Sequence, residues 1–305
     1  MVCVHINNEG LPVVGLFNFY YMNLKIAIQK SGRLYEDSIK LLNDCGIAVR
    51  NGHNHLRSVA ENFPLEVYFL RDDDIPQYVE DNVAHAGIVG ENVLFEKNKS
   101  VQVVEQLGFG KCRLSIAIRK TEQYSDPGFL KGKRIATSYP VLTQKFLDEN
   151  KVNAEIHEIS GSVELAPGIG LADAVCDLVS SGSTLFMNGL QEVQTILKSQ
   201  AALIKSNKLK EEQHKILDQF LFRIRSVKKA RNNKYVLLNA PNNALEDIIR
   251  LLPGMKSPTV LPLAESGWSS VHSVLSEEEF WEKIEQLKKA GAQGILVVPI
   301  EKMII

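Results

Sequence analysis

The sequence is short of cysteine, of net charge and of long apolar runs, and each shortage removes a class of function. Its four cysteines, Cys3, Cys45, Cys112 and Cys176, stand far apart with no CxxC pair. That argues against a disulfide framework and a structural zinc site, and favours a reducing compartment. Among 305 residues, 35 Lys and Arg balance 36 Asp and Glu. Bulk charge therefore recommends neither a nucleic acid nor an acidic membrane as partner. No apolar run approaches the ~20 residues of a membrane helix. Residues 1–22 lack the basic start and small-residue cleavage site of a secretory signal. A strand pattern begins just after Met22, so 1–22 are expected to be a disordered N-terminal extension on a cytoplasmic protein. His53 and His55 have no cysteine or carboxylate nearby and suit a solvated loop better than a metal site.

What is present, 45% apolar residues over this length, suffices for two or three cores. From Leu24 the pattern is short apolar strand, polar loop and amphipathic helix, repeated. Strands are expected at 24–28, 65–70, 85–89, 114–118, 134–137, 154–159 and 172–179, several followed by helical segments. This α/β pattern predicts a largely parallel sheet with its ligand at the carboxyl edges of the strands. Residues 206–231 are basic, but Ile216, Leu217, Phe220, Leu221, Ile224 and Val227 keep helical spacing. Glu211, Glu212 and Asp218 interrupt the charge, so a connecting helix is preferred to a nucleic-acid contact.

The last seventy or so residues read as strand 235–240, helix 244–252, strands 259–263 and 269–275, helix 277–290 and strand 295–300. That is the split βαβ, ferredoxin-like order. Ser276 followed by Glu279 is a capping box, with Phe280, Trp281, Ile284 and Leu287 as the apolar stripe behind it. No catalytic constellation lies in this segment, which suggests regulation or assembly.

Candidate chemistry concentrates in ELAPGIGLADAVCDLVSSGSTL, residues 164–185. Asp173 and Asp177, four apart, fall on one face of a strand or a helix and are expected to converge before the loop Ser180, Ser181, Gly182, Ser183 and Thr184. The backbone N–H groups of such a loop can cradle a phosphate, while the acids suit sugar hydroxyls or a divalent ion. Cys176 alternates with Ala174 and Leu178 and reads as a small buried hydrophobe rather than a reactive thiol. A basic loop, Gln29, Lys30, Ser31, Gly32 and Arg33, follows the first strand and favours an anion. Arg71 precedes Asp72, Asp73 and Asp74, three acids that repel one another unless cations such as Arg71 offset them. In Gly87 through Asn92, glycines stand where a strand meets a ligand-facing turn.

Taken in series, QKSGRL (29–34), RDDDIP (71–76), GIVGENV (87–93), CRLS (112–115), GKRIATSYP (132–140) and LADAVCDLVSSG (171–182) resemble the signatures of the ATP phosphoribosyltransferase family. The resemblance runs from about Leu24 to the end, and LVVPIEKM (296–303) is similar to the long form with its own regulatory domain. It implies an α/β fold: a two-lobed, periplasmic-binding-protein-like catalytic region plus a C-terminal ferredoxin-like α+β domain. Lobe I would comprise 23–112 and 190–232, lobe II 113–189 with the donor loop, and the histidine-binding domain 233–305. The implied reaction joins phosphoribosyl pyrophosphate to ring nitrogen 1 of ATP, releases pyrophosphate, requires Mg2+ and opens histidine biosynthesis.

Carried over by residue, Asp173 and Asp177 would be catalytic. Together with Glu164 and Ser180 through Thr184 they would hold the donor. Gln29, Lys30, Ser31, Gly32, Arg33, Arg71, Asp72, Asp73, Asp74, Glu91, Arg113 and Tyr139 would line the ATP cleft. Histidine would bind near Thr259, Leu261 and Ala264 as an inhibitor, shifting a homo-oligomer between dimer and hexamer. The pattern departs from the family at Gly168, where a basic residue is usual. Two other readings compete: a non-catalytic regulatory subunit of the same fold, and a solute-binding module, which would call for an export signal.

Overall fold

The structure is a computed structural model that describes residues 5–6, 12–13, 23–49, 56–252 and 254–304. His53, His55, Cys3 and most of the leading extension lie outside the described residues. Within that extension β1 (His5–Ile6) pairs antiparallel with β2 (Pro12–Val13). No helix among the described residues is long and apolar enough to cross a membrane.

The first lobe is built from β3 (Leu24–Gln29), α1 (Arg33–Asp44), β4 (Arg57–Val59), β5 (Leu65–Leu70), α2 (Ile75–Glu80), β6 (Ala86–Gly90), α3 (Glu91–Lys97) and β7 (Val101–Gln106). The chain then crosses to a second lobe of β8 (Cys112–Arg119), β9 (Arg134–Thr137), α4 (Pro140–Glu149), β10 (Glu155–Glu158), β11 (Ala174–Val179), α5 (Ser183–Met187) and β12 (Leu190–Ser199). It returns through β13 (Ala201–Ser206), and α6 (Glu211–Arg231) follows. The sheets run β4-β5-β3-β6-β13-β7 and β10-β9-β11-β8-β12. This is the expected two-lobed arrangement, with the crossings at β7 to β8 and β12 to β13.

Two expectations are corrected here. The sheets are mixed rather than largely parallel, because only β5-β3-β6 and β10-β9-β11 pair in parallel while β4, β13, β7, β8 and β12 join antiparallel. Crossover helices dictate parallel pairing only where they occur; a chain that reverses between lobes brings its strands back antiparallel. The return to the first lobe also falls after Ser199, not before Leu190, since Leu190–Ser199 pairs along Arg119–Cys112. Strands 101–106, 190–199 and 201–206 were not anticipated: charged and polar residues dilute the apolar signal of the first two, and AALI at 201–204 is a short apolar run without alternation.

In lobe II, alternation on β11 sends Ala174 and Cys176 to one face with Leu142, Phe146 and Leu147 of α4. Val175 and Val179 go to the other, with Val163, Ala166 and Leu185. Cys176 is fully buried, and burial pushes its thiol up to about 12, as suits a packing residue. In lobe I, Ile75 and Val79 of α2 and Val93 and Leu94 of α3 pack with Ala27, Val89 and Ile204.

Residues 40–46 and 218–305 form a second compact unit, distinct from the described residues up to Ile39 and Ile47–Leu217. It contains β14 (Asn233–Pro241), α7 (Leu245–Leu251), β15 (Thr259–Pro262), β16 (Trp268–Ser276), α8 (Glu277–Lys289) and β17 (Gln293–Pro299). The antiparallel order β15-β16-β14-β17 is ferredoxin-like, as expected. The capping box forms: Ser276 Oγ accepts from Glu279 N at 3.2 Å, while Ser276 N donates to the Glu279 carboxylate at 3.0 Å.

Gly87, expected to serve a ligand-facing turn, instead serves packing. A Cβ there would stand 2.6 Å from Ile75 Cγ2 and 3.1 Å from Val79 Cγ2 of α2. Gly87→Ala should therefore destabilise the protein by about 1–3 kcal/mol through overpacking, read as a lower urea midpoint with an unchanged slope. An unaltered midpoint would show that α2 does not need this close approach.

Candidate active site

Two adjoining cavities lie in the cleft between the lobes. One, of about 290 Å³, brings Gln29, Arg33 and Asp72 from the carboxyl ends of β3 and β5 to face Leu178 and Ser180 at the end of β11. The other, of about 480 Å³, is walled by Glu91, Arg113, Lys198 and Gln200. Lys111, Cys112 and Ser180 line both. Ligands of α/β sheets bind at such strand ends.

The lobes are tied across this cleft. Glu96 of α3 is only 8% exposed, and its two carboxylate oxygens accept from Val141 N at 2.8 Å and Leu142 N at 2.9 Å. A carboxylate from one lobe thus caps the N-terminus of α4 in the other. Asn92 Nδ2 donates to Tyr139 Oη at 3.0 Å, and Asn92 Oδ1 accepts from Ser199 Oγ at 2.8 Å. Tyr139, expected at the ATP cleft, is thereby a cross-lobe anchor, and burial holds its phenol well above its ordinary range. Glu91 accepts from Gln106 Nε2 at 2.7 Å and Gln200 N at 3.2 Å, bracing both crossings while walling the larger cavity.

The two aspartates of the central motif do not converge. They share a face by parity, but four residues of strand span about 13 Å. Asp173 lies just before β11, where it accepts from Arg134 N at 2.9 Å and pairs with Arg134 Nη2 at 3.1 Å. Those hydrogen bonds hold its carboxyl down at about 2. Asp177 makes no ion pair among the described residues; it accepts from Leu178 N at 2.7 Å. Burial, then the charge of Glu164, raises its pKa above the ordinary value. A carboxylate kept short of partners is the one ready for an incoming ligand.

After β11 the loop turns at Gly182, whose φ of +81° suits glycine and strains other residues. Ser181 Oγ and Ser183 Oγ lie 3.0 Å apart, and the backbone N–H groups of Ser181, Gly182 and Thr184 meet no acceptor among the described residues. Arg113 fixes the loop's entry: its Nη1 donates to Ser180 O at 3.1 Å, while its other nitrogens form a fork on Glu192. Ser115 Oγ also donates to Glu192 at 2.8 Å, and the Arg113 bond keeps that carboxyl low.

The three acids of 72–74 have three different surroundings. Asp72 lines the smaller cavity, its pKa raised by burial and then by Asp73. Asp73 pairs with Lys97 Nζ at 3.8 Å, and Asp74 is exposed. Arg71, expected to offset them, is exposed and makes no ion pair among the described residues; Lys97 does so instead. Lys30, Ser31 and Gly32 are exposed beside the cavity wall without lining it, as is Gly168 in its own loop.

Sequence reasoning missed Lys111, Lys198, Asn92's bridging amide and Glu192. Lys111 had a signal, a basic residue after the glycines of GFGKCR (108–113). Glu192, Glu96 and Lys198 had none, since only the folded lobes place them.

A family model described as "HisG: ATP phosphoribosyltransferase" matches residues 71–226, and one described as "HisG, C-terminal domain" matches 230–302. An ATP phosphoribosyltransferase of Cytophaga hutchinsonii is 58% identical, covering 92% of this chain and 98% of the relative. One from Bacteroides thetaiotaomicron is 54% identical, covering 92% and 100%. Among solved structures, a chain of "ATP phosphoribosyl transferase (HisG:HisZ) complex from Thermotoga maritima" aligns with a TM-score of 0.57 and 27% identity, covering 66% of this chain and 98% of that one.

The Asp173 geometry sets a pH dependence. A carboxyl whose folded pKa is about 2 instead of 3.8 contributes stability above pH 3.8 that is lost as pH falls toward 2. Asp173→Asn should unfold at lower urea than the parent at pH 7, with the gap closing between pH 3.8 and 2. A constant gap across that range would remove the ion pair as its cause.

Proposed function

The chain belongs to the ATP phosphoribosyltransferase family, and from that premise we propose that it transfers the 5-phosphoribosyl group of phosphoribosyl pyrophosphate to ring nitrogen 1 of ATP. The products are phosphoribosyl-ATP and pyrophosphate, in the first step of histidine biosynthesis. The observation that carries the reading is the cavity in which Gln29, Arg33 and Asp72 of one lobe face Ser180 at the head of the donor loop in the other. One cleft can then hold nucleotide and sugar donor in contact.

The ring nitrogen's lone pair forms the new bond to the anomeric carbon as the bond to pyrophosphate oxygen breaks, and pyrophosphate leaves with that electron pair. The positive charge left on the purine is discharged by loss of a proton from its exocyclic amino group. No covalent nucleophile is needed, so the protein's work is positioning and charge stabilisation. Asp177 receives the ribose hydroxyls, with Glu164 keeping its carboxylate reactive to donors. The free N–H groups of Ser181, Gly182 and Thr184, with the hydroxyls of Ser181, Ser183 and Thr184, take the 5-phosphate. Gln29, Arg33 and Asp72 meet ATP, with Lys30 through Gly32 at the rim; Arg113, Glu91 and Tyr139 act by holding the loop and the lobes. Asp173 holds Arg134 and the start of β11.

The divalent ion of the family is taken to be Mg2+. No group of three or more His, Cys, Asp or Glu able to hold a metal occurs among the described residues. The donor set still fits, because Asp72 and Asp177 are partly buried carboxylates with no ion pair among the described residues. One such carboxylate plus substrate phosphates is how Mg2+ is commonly held. When bound it would offset charge on the leaving pyrophosphate.

The C-terminal unit is read as the histidine-sensing domain of a cytoplasmic homo-oligomer that passes between dimer and hexamer. Thr259 and Leu261 on the edge strand β15, and Ala264 after it, are exposed and offered as its ligand contacts. The non-catalytic subunit is the weaker reading, since such a protein has no use for the unpaired carboxylate and open N–H groups at the cleft.

Purified protein given ATP, phosphoribosyl pyrophosphate and Mg2+ should release pyrophosphate, and histidine should suppress it. Asp177→Asn should lower kcat/KM by roughly 10²-fold. The parent's kcat/KM should also fall on acidification through a pKa above 3.8, because Asp177 must be ionised, and the variant should lack that limb. ATP binding without turnover would transfer the protein to the subunit reading.

A further inference from the structure

The larger cavity carries more positive charge than its neighbours use. Its cations are Lys111, Arg113 and Lys198, and its acid is Glu91. Arg113 is neutralised by Glu192, and Glu91 is occupied by Gln106 and Gln200. Lys111 and Lys198 have no hydrogen bond or ion pair among the described residues. Lys198 moreover stands directly opposite Arg113 in the β12-β8 ladder. Glu192 already answers the Arg113 charge, so Lys198 is the cation left open at this rung. Lys111 lies at the seam, lining both cavities, next to Gly110, whose φ is +61°.

Resting on the function proposed above, we propose that Lys111 and Lys198 form a polyphosphate seat that makes the enzyme count phosphates. The larger cavity holds a chain of two or three phosphates, and the two ammonium groups reject substrates that end in a single one. Two cations without an ion pair that line one cavity match a chain of several phosphates better than a monophosphate, which offers them a single charged group. Lysine suits this task, since it binds phosphate as a mobile point charge without requiring one fixed geometry. Two sources supply such a chain: the triphosphate of the nucleotide and the pyrophosphate of the ribosyl donor. Lys111, shared by both cavities, is placed to meet either, whereas Lys198 meets the chain in the larger cavity alone.

The test is equilibrium binding by calorimetry to the full chain, with inorganic tripolyphosphate as the probe, followed by ATP against AMP and phosphoribosyl pyrophosphate against ribose 5-phosphate. Lys198→Met and Lys111→Met should each weaken tripolyphosphate about tenfold, while AMP and ribose 5-phosphate change by less than about twofold. Lys198→Arg and Lys111→Arg should largely restore it. A loss confined to ATP supports the seat and assigns it to the nucleotide; a loss confined to the ribosyl pyrophosphate supports it and assigns it to the donor. Parental tripolyphosphate affinity in both methionine variants, or equal losses for monophosphates and polyphosphates, would overturn the proposal. Unfolding midpoints of the variants guard against a folding defect, and the arginine variants provide the readout if a methionine variant fails to fold. Pyrophosphate release by the parent separates the two readings: a parent that binds tripolyphosphate through these lysines but makes no product keeps the seat and loses the transferase function.

Discussion

A buried carboxylate ties the two lobes together across the cleft. Glu96 leaves α3 and gives both oxygens to the first N–H groups of α4, which no side chain of α4's own N-cap residue satisfies. Helix N-termini carry orphan donors and partial positive charge, so the contact is favourable twice over. Left unpaired, the same groups would be costly to bury. Asn92, Tyr139 and Ser199 extend this tie toward the crossings, and Glu91 clamps the crossings themselves. The walls of both cavities are therefore set by contacts that bind no ligand.

Around that frame the charged groups divide into those already satisfied and those left open. Asp173, Glu192 and Glu96 each have their donors, and the pKa values of Asp173 and Glu192 are depressed accordingly. Asp72 and Asp177 have only neighbouring backbone N–H groups as donors and no ion pair among the described residues, and burial raises their values. On the cationic side Arg113 is satisfied, while Lys111 and Lys198 are open. A site organised this way holds its shape without ligand and still keeps both signs of charge available. The open acids suit hydroxyls and a divalent ion, and the open bases suit phosphates.

Much of this was legible in the sequence, and for identifiable reasons. Strand and helix periodicity located β3, β5, β9, α6 and the whole ferredoxin-like segment, because each has an apolar face with its own period. The loop after β11 could be located because small residues and a glycine must stand where the chain turns at positive φ, as Gly182 does. Strand β12 was not legible because Gln191, Glu192, Gln194 and Lys198 make it polar, and β13 because AALI at 201–204 is a short apolar run that periodicity cannot assign.

The sequence by itself determined the family, the α/β and ferredoxin-like elements and the short list of candidate residues, since those follow from local pattern and from motifs in series. Only the tertiary structure decided which member of each cluster is available. Asp173 and Asp177 look alike four residues apart, yet one meets Arg134 and the other meets none. Asp72, Asp73 and Asp74 are adjacent, yet of the three Asp72 alone lines either of the two cleft cavities. Availability is a property of what lies across space, and the partners that settle it, Arg134, Glu192, Lys97 and Glu96, come from remote parts of the chain that only folding brings near.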